Sequence, residues 1–161
     1  MIRRVTAVLS AVVLMVAGLV AQTKPSFAGQ WFVPDEGARG QGALPKVELT
    51  ITQDATAITL EYTGVGQTSA PAKFVYKLDG SVSKNMTSGR GGAAPTEQVS
   101  KAMWAGNNIV VMTTTSAGEE KRTISMDDSY LVVETSAPTR NGGAPNITKV
   151  SYKKYERGFG G

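Results

Sequence analysis

"KVELTITQDATAITLEYTG", residues 46–64, decides how this chain folds. Val47, Leu49 and Ile51 alternate with Glu48, Thr50 and Thr52; after a short Asp54-Ala55-Thr56 turn, Ile58, Leu60 and Tyr62 alternate with Thr59, Glu61 and Thr63. A period of two puts one apolar and one polar face on each segment, the pattern of an antiparallel hairpin with one face in water.

The pattern extends in both directions. "AKFVYKLDG" (72–80) sets Phe74, Tyr76 and Leu78 against Val75 and Lys77 and ends in an Asp79-Gly80 turn signal. Further strands are expected near 97–105, 107–115, 120–126 and 129–136, separated by Gly106-Asn107-Asn108, Gly118-Glu119 and Asp127-Asp128-Ser129, residue types suited to tight turns. "GQWFVP" (29–34) opens the series and "NITKVSYKKY" (146–155) closes it. "ITLEYT", "IVVMTT" and "LVVETS", beginning at Ile58, Ile109 and Leu131, share a style but no period, so the chain is not a solenoid. No window has helical spacing. The expectation is an all-β antiparallel meander of about nine strands, within a range of eight to ten. Such a meander either closes into a barrel or folds as a β-sandwich, since an open sheet leaves two long edges and an uncovered apolar face. Short connections leave little chain for Greek-key crossings and favour the barrel.

Residues 1–21 have a different character. Arg3 and Arg4 precede an uncharged run from Val5 to Val20, shorter than a spanning helix needs, which reads as a secretory signal; an uncleaved anchor is the alternative. Cleavage after Ala28 would follow a small-x-small pattern, Ser26 and Ala28. Cleavage after Ala21 is preferred because it keeps Phe27 beside Trp31, Phe32 and Val33 in the first strand. Residues 22–161 then form a single all-β domain, exported to the periplasm or the exterior, with no stable membrane span after cleavage. No Cys follows the apolar run to take a lipid.

Composition excludes several kinds of chemistry. The chain has no Cys and no His, so no disulfide holds the fold, no thiolate or imidazole zinc site exists, and Ser-His-Asp and Cys-His catalysis are ruled out. The formal net charge is +4, and losing Arg3 and Arg4 leaves 15 basic against 13 acidic residues. The basic residues are spread from Lys24 to Arg157 with no run beyond Lys153-Lys154, so nucleic acid is not an expected partner. "SGRGGAAP" (88–95) and "RNGGAP" (140–145) lack the Lys-Ser/Thr ending of a phosphate loop and read as flexible loops that would lie at a barrel rim. Asp35-Glu36, Glu119-Glu120 and Asp127-Asp128 fall in expected turns, where adjacent side chains point apart; they read as solvated turn charge. No nucleophile-base pair, metal site or cofactor is expected, and the chain reads as non-catalytic.

A Gly-x-Trp on the first strand (Gly29-Gln30-Trp31), a long meander and a basic, aromatic last strand resemble the lipocalin and fatty-acid-binding-protein group of small barrels. The Trp104-Ala105-Gly106-Asn107 hairpin entering an apolar strand, and the stretch from Met126 to Thr135 with "LVVET", are similar to exported bacterial lipocalin-like proteins. The resemblance implies that Trp31 plugs the closed end of a barrel under a cation from the end of the chain: Lys153, Lys154 or Arg157. The second lipocalin motif, Thr-Asp-Tyr, is absent. The interval "PDEGARGQGALP" (34–45) cannot hold the helix pair of fatty-acid-binding proteins. Lys153-Lys154-Tyr155 is a Lys-x-Tyr where those proteins carry Arg-x-Tyr.

Tyr62, Phe74 and Tyr76 fall on apolar strand faces and Trp104 leads into the Gly106 turn. In a barrel this small they either fill the interior or wall a pocket for a small hydrophobic or amphipathic molecule, with Tyr152, Lys153 and Tyr155 at its polar end. The corresponding functions are small-molecule binding in the barrel, or a filled-core cell-envelope module that contacts another protein. The sequence names neither the ligand nor a protein partner.

Overall fold

The structure, a computed structural model, describes residues 23–34, 48–63, 72–87 and 94–156. Ten strands follow in order: β1 (Gly29–Phe32), β2 (Leu49–Gln53), β3 (Ala57–Tyr62), β4 (Ala72–Lys77), β5 (Asp79–Thr87), β6 (Thr96–Ala105), β7 (Asn108–Thr115), β8 (Gly118–Asp127), β9 (Tyr130–Ala137) and β10 (Asn146–Lys154). There is no helix among the described residues.

All ten belong to one antiparallel sheet in the order β4-β3-β2-β1-β10-β9-β8-β7-β6-β5. The first and last strands of the chain pair with each other, Trp31 opposite Lys154 and Phe32 opposite Lys153, so the meander bends round into a nearly closed barrel and not a sandwich. The even alternation of "KVELTITQ" and its neighbours is realised: Leu49, Ile51, Ile58 and Leu60 are fully buried inside, while Thr52 and Glu61 face out. Gly106, with φ of +61°, supplies the left-handed position of the β6–β7 turn.

The tenth strand is β5. The sequence offers "DGSVSKNMT" as a turn and its aftermath because its apolar residues are on the wrong side: Val82 and Met86 are exposed, whereas Ser83 and Asn85 are buried. The reason is the seam. β4 and β5 are the two ends of the sheet and share no backbone ladder. Instead the Val75 N–H donates to Asn85 Oδ1 at 2.7 Å, Asn85 Nδ2 donates to the Val75 carbonyl at 3.1 Å, and the Lys77 N–H donates to Ser83 Oγ at 2.9 Å. The Asn85 amide thus replaces a backbone amide of the missing ladder, answering donor and acceptor together.

The connections β2–β3, β4–β5, β6–β7 and β8–β9 lie at one end of the barrel, which is filled. Phe27, Trp31, Ile58, Leu78, Ile109, Ile124 and Leu131 pack there within one core, each fully buried residue of this kind contributing about 1.5–3 kcal/mol on leaving water. The segment before β1 is tied to this end. The Phe27 N–H donates to Gln53 Oε1 at 2.9 Å, Gln53 Nε2 to the Pro25 carbonyl at 3.2 Å, and Lys24 Nζ to the Gly106 carbonyl at 2.8 Å.

Candidate functional site

Alternation places Trp31 inside, with its Nε1 donating to the Phe27 carbonyl at 3.0 Å and Lys154 Nζ lying 5.8 Å from its ring centroid. Gly29 has φ of +150°, and a Cβ there would sit 3.0 Å from Lys154 Cε, so the glycine of Gly-x-Trp leaves room for the cation that covers the ring. Lys154 is the basic residue on Trp31; Lys153 points the other way, and Arg157 lies outside the described residues. Trp104 belongs to the same closed end, stacked on Phe27 at 5.9 Å and 23°, with Lys24 Nζ 5.3 Å from its centroid.

Tyr62, Phe74, Tyr76 and Tyr152 occupy a different part of the interior. Tyr62 meets Phe74 edge-on at 6.1 Å, and Phe74 lies parallel to Tyr76 at 6.2 Å, forming an aromatic wall across β3 and β4. Tyr152 is buried on β10. Its neighbour Lys153 is exposed because successive strand residues point to opposite faces. Lys153 and Tyr155, with Phe32, Ser129, Lys154 and Glu156, line a depression of about 280 Å³ in the outer surface, so they are not the polar end of an interior pocket.

That polar end comes from β8. Ile124 is fully buried, which sets Arg122 and Glu120 on the same inner face. The register confirms it: Arg122 is opposite buried Val111, and Glu120 opposite buried Thr113. Arg122 Nη2 donates to Glu120 Oε1 at 3.2 Å, with both side chains 20% exposed. Glu120 is therefore an interior ion-pair partner and not turn charge, whereas Glu119, Asp127 and Asp128 are exposed and Asp35-Glu36 lies outside the described residues. The sequence signal was available in "EKRTI" (120–124), where Glu120, Arg122 and Ile124 share a face; the apolar Ile124 shows which face is inward.

Burial pushes the Tyr76 phenol up to about 12, with the Arg122 charge opposing part of the effect. Burial also raises Tyr62 and Tyr152, the latter helped by the charges of Tyr62 and Glu48 and opposed by Arg122. Burial disfavours the Arg122 charge, but Tyr62, Tyr76, Glu120 and Tyr152 outweigh it and hold the guanidinium above its usual value. At neutral pH the group is thus three neutral phenols around one charged pair.

Among the described residues two buried side-chain atoms, the Tyr76 hydroxyl and Gln98 Oε1 on the inner face of β6, have no hydrogen-bond partner. Arg122 acts on the Tyr76 hydroxyl through its charge and a side-chain contact, which falls short of a well-formed hydrogen bond. Nearby on β6 and β7, Ser100 and Thr113 satisfy each other at 2.8 Å. Tyr62, Gln98 and Glu120 lie toward the end of the barrel where β3–β4, β5–β6, β7–β8 and β9–β10 connect. "RNGGAP" belongs to the β9–β10 connection and is exposed there; residues 88–93 lie outside the described residues.

An antiparallel ten-stranded barrel with a plugged end and a polar, aromatic inner wall is a calycin-type fold. No protein-family model matches the sequence, and no curated protein matches it. Among solved structures, a mutant of the fluorescent protein UnaG is similar, with a TM-score of 0.56 and 19% identity over 81% of this chain and 97% of that one. At that identity the likeness is one of fold.

Proposed function

We propose that this protein is an exported, non-catalytic binding protein that holds one small amphipathic molecule inside its barrel. The apolar part lies against Tyr62, Phe74 and Tyr76, and the polar part meets Arg122, Glu120, Tyr152 and Gln98. One observation carries this reading. Leaving a buried hydroxyl or amide oxygen unpaired costs about 1–3 kcal/mol, and among the described residues this interior contains two such atoms, Tyr76 OH and Gln98 Oε1, as well as the Arg122–Glu120 ion pair. A polar head group placed among them supplies the missing partners. The calycin-type fold supports the reading, because barrels of this size offer an interior for a single small ligand. Export is supported by Arg3, Arg4 and the uncharged run Val5 to Val20. Burial of Phe27 supports a mature chain that begins upstream of it.

The filled closed end favours the competing account, an envelope interaction module with a filled core. Native mass spectrometry of protein purified from its own host separates the two. A small molecule that accompanies the native ion and is lost on denaturation is the expected result. A bare protein whose interior takes up neither Nile red nor any member of a lipid and isoprenoid panel would leave the interaction module as the better account. The denatured mass from the same sample gives the mature N-terminus.

A further inference from the structure

We infer that the head group this barrel takes is uncharged, an amide, lactam or hydroxyl that both donates and accepts hydrogen bonds, and not a carboxylate. The inference rests on the interior-binding reading above and names its ligand class. Arg122 is the positive group of the polar cluster, and its charge is already matched by Glu120 on the same strand face at 3.2 Å. Lys154, whose ammonium lies over Trp31, is exposed at the closed end. Tyr62, Tyr76 and Tyr152 are neutral, and Glu48 adds negative field at Tyr152. A second carboxylate brought into this space would be a buried charge without a counter-ion, which low-dielectric surroundings penalise heavily.

The hydrogen-bonding vacancies point the same way. Gln98 Oε1 requires a donor, which a carboxylate lacks, and the Tyr76 hydroxyl accepts or donates. The Arg122–Glu120 contact is a single bond, Nη2 to Oε1, so the guanidinium keeps N–H groups for a ligand carbonyl. An amide offers both functions, an N–H for an acceptor such as Gln98 Oε1 and a carbonyl for the Arg122 N–H groups or the Tyr76 hydroxyl.

The test is displacement of Nile red at pH 7 by dodecanamide, dodecanol and dodecanoate, which share one tail. Wild-type protein is expected to bind the amide about tenfold more tightly than the acid. Glu120→Gln leaves Arg122 unmatched, and the order is expected to reverse toward dodecanoate. Tighter binding of dodecanoate by the wild type, or an unchanged ratio in Glu120→Gln, overturns the uncharged head while leaving interior binding in place. If none of the three ligands displaces the dye, both readings fall together. The wild-type comparison needs no variant. Should Glu120→Gln not fold, the neutral pair Glu120→Gln/Arg122→Gln is expected to keep the wild-type order, and a switch to the acid there counts against the inference.

Discussion

Tyr76 shows what a single side chain decides here. Its ring is fully buried and parallel to Phe74, yet its hydroxyl makes no well-formed hydrogen bond. Tyr76→Phe removes the unmet group and keeps the ring, so the empty protein is expected to gain about 1 kcal/mol in urea unfolding while a polar-headed ligand binds about tenfold more weakly. A variant that is less stable and binds equally well would take this hydroxyl out of the site. The same phenol gives a pH dependence. In the unfolded chain it ionises near its ordinary value of 10.0, whereas burial in the folded protein keeps its proton until about 12. Its contribution to stability is complete below pH 10 and is lost as pH rises toward 12. The stability difference between Tyr76→Phe and wild type is therefore expected to widen across that window. Tyr62 and Tyr152, also raised by burial, shift the wild type in the same direction.

Two elements carry opposite lessons about strand ends. The β2–β3 hairpin is closed by Asp54, whose Oδ1 accepts from the Thr56 N–H at 2.7 Å, the Thr56 hydroxyl at 2.8 Å and the Ala57 N–H at 2.8 Å. Those bonds, the Thr56 N–H foremost, lower the Asp54 pKa below 3.8. The stabilisation is present above the unfolded value and disappears as pH falls through the lower folded one. An NMR titration of the Asp54 carboxyl is expected to give a midpoint below 3.8, and Asp54→Ala to abolish the acid sensitivity of this turn. At the seam, a side chain does work that a strand does elsewhere. Asn85→Ala strips the Val75 N–H and carbonyl of their partners, and about 1–3 kcal/mol of stability is expected to go, with faster amide exchange at Val75 and Lys77. Lys84→Ala, which breaks only an exposed pair with Glu97, is expected to stay within about 0.5 kcal/mol of wild type. β5 was illegible in the sequence for this reason: alternation reveals a strand when its inner residues are apolar, and the inner residues of β5 are polar because they join the seam.

For the molecule as a whole, the segment ahead of β1 belongs to the fold. Phe27 is fully buried against Trp104, and its backbone bonds to Gln53 and to the Trp31 indole. Phe27→Ala is expected to cost about 3–5 kcal/mol in chemical unfolding, and a chain begun at Gly29 to lose the closed end; equal stability of the two chains would remove this segment from the core. Residue alternation was enough for the all-β class, the positions of nine strands and the inward faces of Leu49, Ile51, Ile58, Leu60, Phe74 and Tyr76. Alternation is a local property, set by the pleat of a single strand and the burial of one face. The sequence also marked Trp31 and a terminal lysine as partners, though only by resemblance. Tertiary structure alone decided the rest. Closure through β1 and β10, the side-chain seam between β4 and β5, and the meeting of Tyr62, Tyr76, Arg122 and Tyr152 all depend on register between strands far apart in the chain. A charge such as Arg122 or Glu120 reads as surface until pairing with Val111 and Thr113 puts it inside.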